Sequence, residues 1–259
     1  MMSMRVVIVG SGNVAEALAI GLHEADVAVV QIYARNEQRG RELATMIGSK
    51  WGYDGLAEAD LYIISVSDSA VAEVAASLPI PEGAVVAHTT GCCPMEALAP
   101  HEHRAVLYPF QTFSSGRKVD FAKGYIFLEA ATDHALKVVS EVAHCLTERV
   151  AIADGARRAV IHLSGVFSSN FVNAMYENAA EILQREGLPF DVIAPVIEET
   201  AAKALASRNP RTVQTGPARR GDMPTLERHR KMLEGDNLKR EIYDKISEDI
   251  WTKAEISKR

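Results

Sequence analysis

The sequence predicts an α/β fold, a doubly wound parallel sheet followed by an all-α C-terminal domain. Three observations lead there. Short β-branched runs alternate with helical stretches through the first half of the chain, no such run occurs in the second half, and a glycine-rich turn joins the first run to the first helical stretch. Continuous apolar strands separated by helices mark a parallel sheet covered on both faces. The change of pattern near Asp154-Gly155 divides the 259 residues into domains 1–153 and 154–259.

The strand candidates are Val6–Val9, Val27–Tyr33, Leu61–Val66, Val85–Ala87, Ala105–Tyr108 and Tyr125–Leu128, with a short strand possible at Trp51–Leu56. Helical spacing fills several gaps between them, at Val14–Leu22, Arg39–Ile47 and Ala70–Ala76. In the second half, apolar residues recur at three and four spacing from Gly155 to about Glu186, which predicts one long helix ending at Gly187. Further helices are expected over Phe190–Ala206, Pro224–Leu233 and Leu238–Ile256, with Pro195 early enough in its helix to bend it only locally.

Composition narrows the function classes. The chain is 47% apolar and 24% charged, as ordinary globular proteins are. With 28 Lys and Arg against 34 Asp and Glu, its net charge of −6 lacks the basic footprint of a general nucleic-acid binder. Cys92, Cys93 and Cys145 form neither a disulfide framework nor a metal-ligand spacing, so no metal is expected and small buried thiols are the plain reading. The opening apolar run Val6–Val9 is too short for a secretory signal, and no stretch has the length of a membrane span. These features lead to the expectation of a cytoplasmic protein with neither a nucleic-acid nor a membrane partner.

The segment Val6-Val7-Ile8-Val9-Gly10-Ser11-Gly12-Asn13-Val14-Ala15 reads as a strand, a G-x-G-x-x-A turn and a helix start. Gly10 permits the tight turn, Gly12 lets a pyrophosphate approach the backbone, and Ala15 lets the helix pack closely on the strand. The helix N-terminus adds unpaired N–H groups and partial positive charge, which places a dinucleotide there on a Rossmann-type sheet. NAD sites usually end the second strand with Asp or Glu, whereas this one ends Gln31-Ile32-Tyr33-Ala34-Arg35-Asn36. A guanidinium at Arg35 suits the 2′-phosphate of NADP(H). Arg39 is either a second phosphate contact or helix surface.

Gly10-Ser11-Gly12-Asn13-Val14-Ala15-Glu16-Ala17-Leu18 resembles the opening of pyrroline-5-carboxylate reductases and their relatives in the 6-phosphogluconate-dehydrogenase-like superfamily. His88-Thr89-Thr90-Gly91, Tyr108-Pro109-Phe110-Gln111-Thr112-Phe113 and Thr215-Gly216-Pro217-Ala218-Arg219-Arg220-Gly221-Asp222 are similar to one branch, NADP oxidoreductases whose Rossmann-like domain precedes a helical domain of unknown function. The resemblance implies a homodimer assembled through the helical domains; it carries no substrate. It also implies cofactor contacts from Gly10 to Val14, from Arg35 and Asn36, along Ser65-Val66-Ser67, and at Thr89 and Gly91 near the nicotinamide. Ser67 and Asp68 equally suit capping of the next helix.

Hydride transfer needs a partner group for the proton. Several hydroxyacid dehydrogenases of this superfamily use a lysine followed four residues later by asparagine on the first helix of the C-terminal domain. With Gly165 as the register mark, Ser169 stands in place of that lysine and Asn173 in place of the asparagine, so their mechanism does not carry over. A polar stripe of His162, Ser169, Asn170 and Asn173 remains, with His162, Ser169 and Asn173 sharing one face of a regular α-helix. It reads either as a site or as small polar residues that let helices pack closely across a dimer interface. His88 and His162 are the proton-donor candidates, with Asn173 and Ser169 as their catalytic companions.

Between Lys203 and Lys231 lie eight Lys or Arg residues and two acids, Asp222 and Glu227. Within this basic island Thr215 and Arg220, just ahead of a helix start, are candidates to hold an anionic substrate group, with Asn170 as a further substrate contact. In pyrroline-5-carboxylate reductases a Gly-rich element at a comparable place helps hold the substrate carboxylate. The plain alternative is a solvated basic face, or pairing with acids of a second subunit. Together these readings describe an NADP(H)-dependent reductase of a C=O or C=N group on a small anionic compound, or a non-catalytic NADP(H)-binding sensor. The Arg35→Glu variant is expected to bind NADPH at least tenfold more weakly in a fluorescence titration, since a charge-assisted hydrogen bond contributes about 1.5–3 kcal/mol; unchanged affinity removes the 2′-phosphate role.

Overall fold

The computed structural model describes residues 4–256, which divide into two compact units between Asn170 and Phe171. The first unit is built on an eight-stranded sheet. Its strands are β1 (Arg5–Val9), β2 (Ala28–Tyr33), β3 (Lys50–Gly52), β4 (Leu61–Ile64), β5 (Val85–His88), β6 (Arg104–Phe110), β7 (Tyr125–Ala130) and β8 (Val150–Ile152), in the spatial order β3-β2-β1-β4-β5-β6-β7-β8. The first six are mutually parallel; β7 reverses direction against β6, and β8 runs parallel to β7. The order reverses at β1, and ligands of such sheets collect beyond the strand carboxyl ends at that point.

Alternation along the strands separates two layers of core. Val6 and Ile8 face a cluster with Leu18, Leu22, Val139 and Val142, which come from α1 (Asn13–Glu24) and α4 (Asp133–Leu146). Val7 and Val9 face the opposite cluster with Tyr62, Ile64 and Leu98, completed by Val71 and Ala75 of α3 (Val71–Ser77). Helices on both faces explain why these strands read as unbroken apolar runs. The short helix α2 (Glu37–Met46) is capped by Asn36, whose side chain accepts from the Arg39 N–H at 3.0 Å. Pro109, which has no N–H to donate, lies in β6 beyond the residues that pair with β5.

The first unit runs past the expected boundary at 153/154. It includes α5 (Gly155–Gly165) and a π-helical segment, Val166–Asn170, because α5 packs on β6 and β7. The Arg158 side chain, 1% exposed, forms an ion pair with Glu129 of β7 and donates to the Cys93 carbonyl at 2.7 Å. One turn on, His162 meets Tyr108, and Gly165 lies against the Phe110 ring. Glu129, Phe127 and Tyr125 stand opposite Val106, Tyr108 and Phe110 in the β6–β7 ladder, so α5 follows β6 residue pair by residue pair. The advance of about 1.5 Å per helical residue over four residues approximates that of two strand residues at about 3.3 Å.

The second unit is all helical: α6 (Phe171–Arg185), α7 (Ala194–Ser207), α8 (Pro217–Arg220), α9 (Met223–Met232) and α10 (Asn237–Ile256). Its fixed points include the Arg230–Asp244 pair at 2.7 Å and His229 against the Tyr243 hydroxyl at 2.9 Å. A Cβ at Gly221, which has φ +70°, would run into the Trp251 ring, so this turn requires glycine twice over. No residue of α6 or α7 is buried, although α6 is amphipathic. No helix among the described residues is long and apolar enough to cross a membrane.

The expected single helix from Gly155 to Glu186 is therefore two α-helices around a π turn, and Phe190–Ile193 is 3-10 rather than α. The Glu129→Ala variant is expected to lose about 3 kcal/mol of stability in urea denaturation, because it leaves the Arg158 guanidinium buried without its counter-charge; a loss below 1 kcal/mol shows that α5 does not depend on this pair.

Candidate active site

The carboxyl ends of β1, β2 and β4 meet at the glycine turn. Gly10 donates its N–H to the Tyr33 carbonyl at 2.9 Å, and Ser65 donates its N–H to Val9 at 2.8 Å. Gly10 has φ +123°, and a Cβ on it would clash with the Ser65 carbonyl oxygen, so only glycine fits. Gly12 is different: a Cβ there meets nothing within 4 Å. Gly12 caps α1 with no side-chain hydrogen bond, so the helix presents its first N–H groups to open space above Gly12, Asn13 and Val14. That arrangement fits a pyrophosphate.

Around it the expected cofactor residues take different parts. The β4–β5 register pairs Ile64 with His88, which brings the next residues side by side, and the Thr89 hydroxyl donates to the Ser65 hydroxyl at 3.2 Å. Both side chains are buried. Ser67 makes no side-chain cap, so the capping alternative is not used; Ala70 stands at the start of α3 instead. Asn13 donates to the Phe113 carbonyl at 3.3 Å and accepts from Arg39 at 3.5 Å. Arg39 pairs with Glu16 at 3.1 Å, which neutralises it as a second phosphate contact. Arg35 is exposed and makes no ion pair among the described residues, while Asn36 is occupied in capping α2.

The end of β5 is tied to α5. Gly91 lies against the His162 imidazole, and a Cβ on it would stand 2.6 Å from the ring's Cγ. The Tyr108 hydroxyl is 3.1 Å from His162 Nδ1. Tyr108 is 9% exposed within a cluster of Met95, Val106, Phe110, Phe127 and Ile161. Burial, then the neighbouring Cys92 and Asp68, push its phenol up to about 12 against the opposing pull of Arg158. Sequence reading overlooked Tyr108 as a functional side chain because it stands in an apolar strand, where an aromatic ring counts as core.

The other donor candidate, His88, does not survive as one. It is fully buried, its Nδ1 accepts the Thr90 N–H at 3.2 Å, and its Nε2 faces the Pro94 backbone without a formed hydrogen bond. Burial first, and the Arg158 charge second, push its pKa down to about 4. His88 is a neutral strut of the β5 turn.

The polar stripe is also altered. The π turn over Val166–Asn170 absorbs one residue more than an α turn, so it rotates the following positions back by about 100° relative to His162. The regular seven- and eleven-residue spacing that put Ser169 and Asn173 on the face of His162 is therefore broken. Ser169 is half-buried, while Asn170 and Asn173 are exposed, and Asn173 belongs to the second unit.

In the second unit, Thr215, just before the single-turn helix α8, and Arg220, its last residue, are exposed. The helix start expected to receive an anion, that of α9, is already filled: the Asp222 carboxylate accepts the Thr225 N–H at 3.2 Å. Hydrogen bonding from the Thr225 side chain and then from its backbone, with Arg220 and Arg228 nearby, holds Asp222 below the usual carboxylate range. Of the eight basic residues from Lys203 to Lys231, Lys203 and Arg230 pair with carboxylates, whereas Arg208, Arg211, Arg219, Arg220, Arg228 and Lys231 make no ion pair among the described residues. No cluster of three His, Cys, Asp or Glu residues suited to a metal occurs among the described residues.

Comparison with known proteins agrees with this geometry. Residues 5–90 match the family described as NADP oxidoreductase, coenzyme F420-dependent, and residues 124–250 match a domain of unknown function, DUF2520. A candidate NADP oxidoreductase from Bacteroides fragilis is 38% identical, with a TM-score of 0.91 over 96% of this chain and 98% of that one. A Thermotoga maritima protein is 23% identical (TM-score 0.74, covering 98% of this chain and 100% of that one). A pyrroline-5-carboxylate reductase from Coxiella burnetii is 17% identical, with a TM-score of 0.55 over 98% of each chain. The last two share the fold. No curated protein matches. With both matches in chain order and a 38% identical relative along nearly its whole length, the chain belongs to the family of NADP oxidoreductases that join this Rossmann-like domain to DUF2520, and its cofactor is NADP(H).

Proposed function

We propose that the protein is an NADP(H)-dependent reductase of a C=O or C=N group on a small anionic substrate, working as a homodimer in a reducing compartment. The observation that carries this reading is the placing of His162: half-buried, it is pressed against Gly91 at the end of β5, beside the open glycine turn of the same sheet. When bound, the cofactor supplies hydride. The open backbone at Gly12 and the α1 N-terminus would hold its pyrophosphate, and Arg35 its 2′-phosphate. Ser65 and Thr89, already hydrogen-bonded, would border its ribose and nicotinamide. His162 would donate to the oxygen or nitrogen of the group being reduced.

Six basic residues from Arg208 to Lys231 that make no ion pair among the described residues support an anionic substrate, with Arg220 and Thr215 as its contacts. For the homodimer the support is apolar exposure in α6 and α7: Ile182, Val196 and Leu205 are 40%, 65% and 82% exposed. An amphipathic helix with no fully buried residue calls for a further partner surface. The free thiols of Cys92, Cys93 and Cys145 fit a reducing compartment.

NADPH oxidation across a panel of keto and imino acids tests the activity. His162→Ala is expected to lower kcat at least a hundredfold while NADPH affinity stays within twofold. Tight NADPH binding with no turnover on any panel member favours the sensor instead. The two glycines separate fold from cofactor. Gly10→Ala is expected to destabilise the chain by about 2 kcal/mol or more through its clash and strained φ, whereas Gly12→Ala is expected to keep the wild-type Tm and lose NADPH affinity. Loss of Tm in Gly12→Ala would show that this position is structural.

A further inference from the structure

We infer that Tyr108 is a positioning residue that holds His162 in the tautomer with its proton on Nε2, so that the ring offers an N–H outward from the end of β5.

The geometry of the pair carries the inference. Tyr108 Oη has one hydrogen-bond partner among the described residues, His162 Nδ1 at 3.1 Å. A phenol has a single proton to donate and an imidazole nitrogen is either donor or acceptor, so two arrangements exist. If Nδ1–H donated to Tyr108, the phenolic proton of a 9% exposed residue would have no acceptor among the described residues. An unmet buried donor costs about 1–3 kcal/mol. If Tyr108 donates, both atoms are satisfied and the ring proton is left on Nε2. Burial, then Cys92 and Asp68, keep the phenol protonated against the pull of Arg158, so Tyr108 retains a proton to donate.

The surroundings lock this choice in place. Gly91, with no Cβ, admits the ring edge that carries Nδ1, and any larger residue would push it off. Tyr108 is wedged between Phe110 and His162, each with ring centroids 6.2 Å away, so its hydroxyl has little freedom to turn aside. Across the ring, Nε2 makes no hydrogen bond among the described residues and is not buried. The result is an oriented N–H donor at a strand end. Such a group polarises a C=O or C=N without itself needing to be charged, because the hydrogen bond is already aimed before the substrate arrives.

The use of this donor on a substrate rests on the reductase reading; the tautomer does not. Nitrogen-15 NMR of the full chain labelled at histidine, with His162 assigned through His162→Gln, reads the ring directly and without turnover. The expected result is an Nδ1 signal in the unprotonated range and an Nε2 signal in the protonated range, both moving to averaged positions in Tyr108→Phe. A protonated Nδ1 in the wild type, or a spectrum unchanged by Tyr108→Phe, overturns the inference. Tyr108→Phe keeps the ring and its packing, and a cooperative thermal transition checks its fold. In a panel with turnover, the same variant is expected to lower kcat at least tenfold with KM for NADPH unchanged. A correct tautomer with no turnover anywhere upholds Tyr108 and removes the reductase reading instead.

Discussion

A single buried guanidinium determines where the proposed chemistry takes place. Arg158 arrives from the first turns of α5 and enters the gap between β7 and the turn after β5, where Glu129 neutralises it and the Cys93 carbonyl takes a second hydrogen bond. An ion pair removed from water is not in itself a strong source of stability, because desolvation offsets much of the attraction. Its value is geometric. Only one seating of α5 satisfies both groups, and that seating delivers His162 to Gly91 and Tyr108. The same charge also reaches His88, helping to keep that ring neutral, and it opposes burial at Tyr108. One side chain therefore sets the position of one imidazole and helps burial to keep another neutral.

The glycines around the site follow a similar division of labour. Gly10 and Gly91 are required by atoms of the protein itself, the Ser65 carbonyl in one case and the His162 ring in the other. Gly12 is required by nothing in the chain. The open space beside Gly12, at a helix start whose N–H groups are free of a side-chain cap, leaves room for a phosphate. Fold requirement and ligand requirement are thus separable within one three-residue turn.

Much of the first unit could be read from the sequence, for physical reasons. Strands buried on both faces must be apolar throughout, so β1, β2, β4, β5, β6 and β7 announced themselves, and the glycine turn fixed the order of the first strand and helix. The three-residue β8 was too short to show a pattern, and α8 is a single turn. Side chains that depend on tertiary partners were less legible. Arg158 follows Arg157 at a helix start and looks like surface until Glu129, 29 residues earlier, is brought beside it. Tyr108 looked like core, and is core except for its hydroxyl. His88 was drawn into the site by its place at a strand end, but no periodicity could reveal that its ring turns inward. The basic island drew attention to a helix start that its own Asp222 already fills. The π turn left no mark in composition, and it undid a face assignment made by counting in sevens and elevens.

The match between α5 and β6 acts as a ruler. Arg158 and His162 reach Glu129, opposite Val106, and Tyr108 because four helical residues advance about as far as two strand residues. Inserting or deleting even one residue between Arg158 and His162 would swing the imidazole about a quarter-turn around the helix axis while the guanidinium stayed pinned. The four-residue interval is therefore as much a requirement of the site as the Arg158 and His162 side chains that bound it.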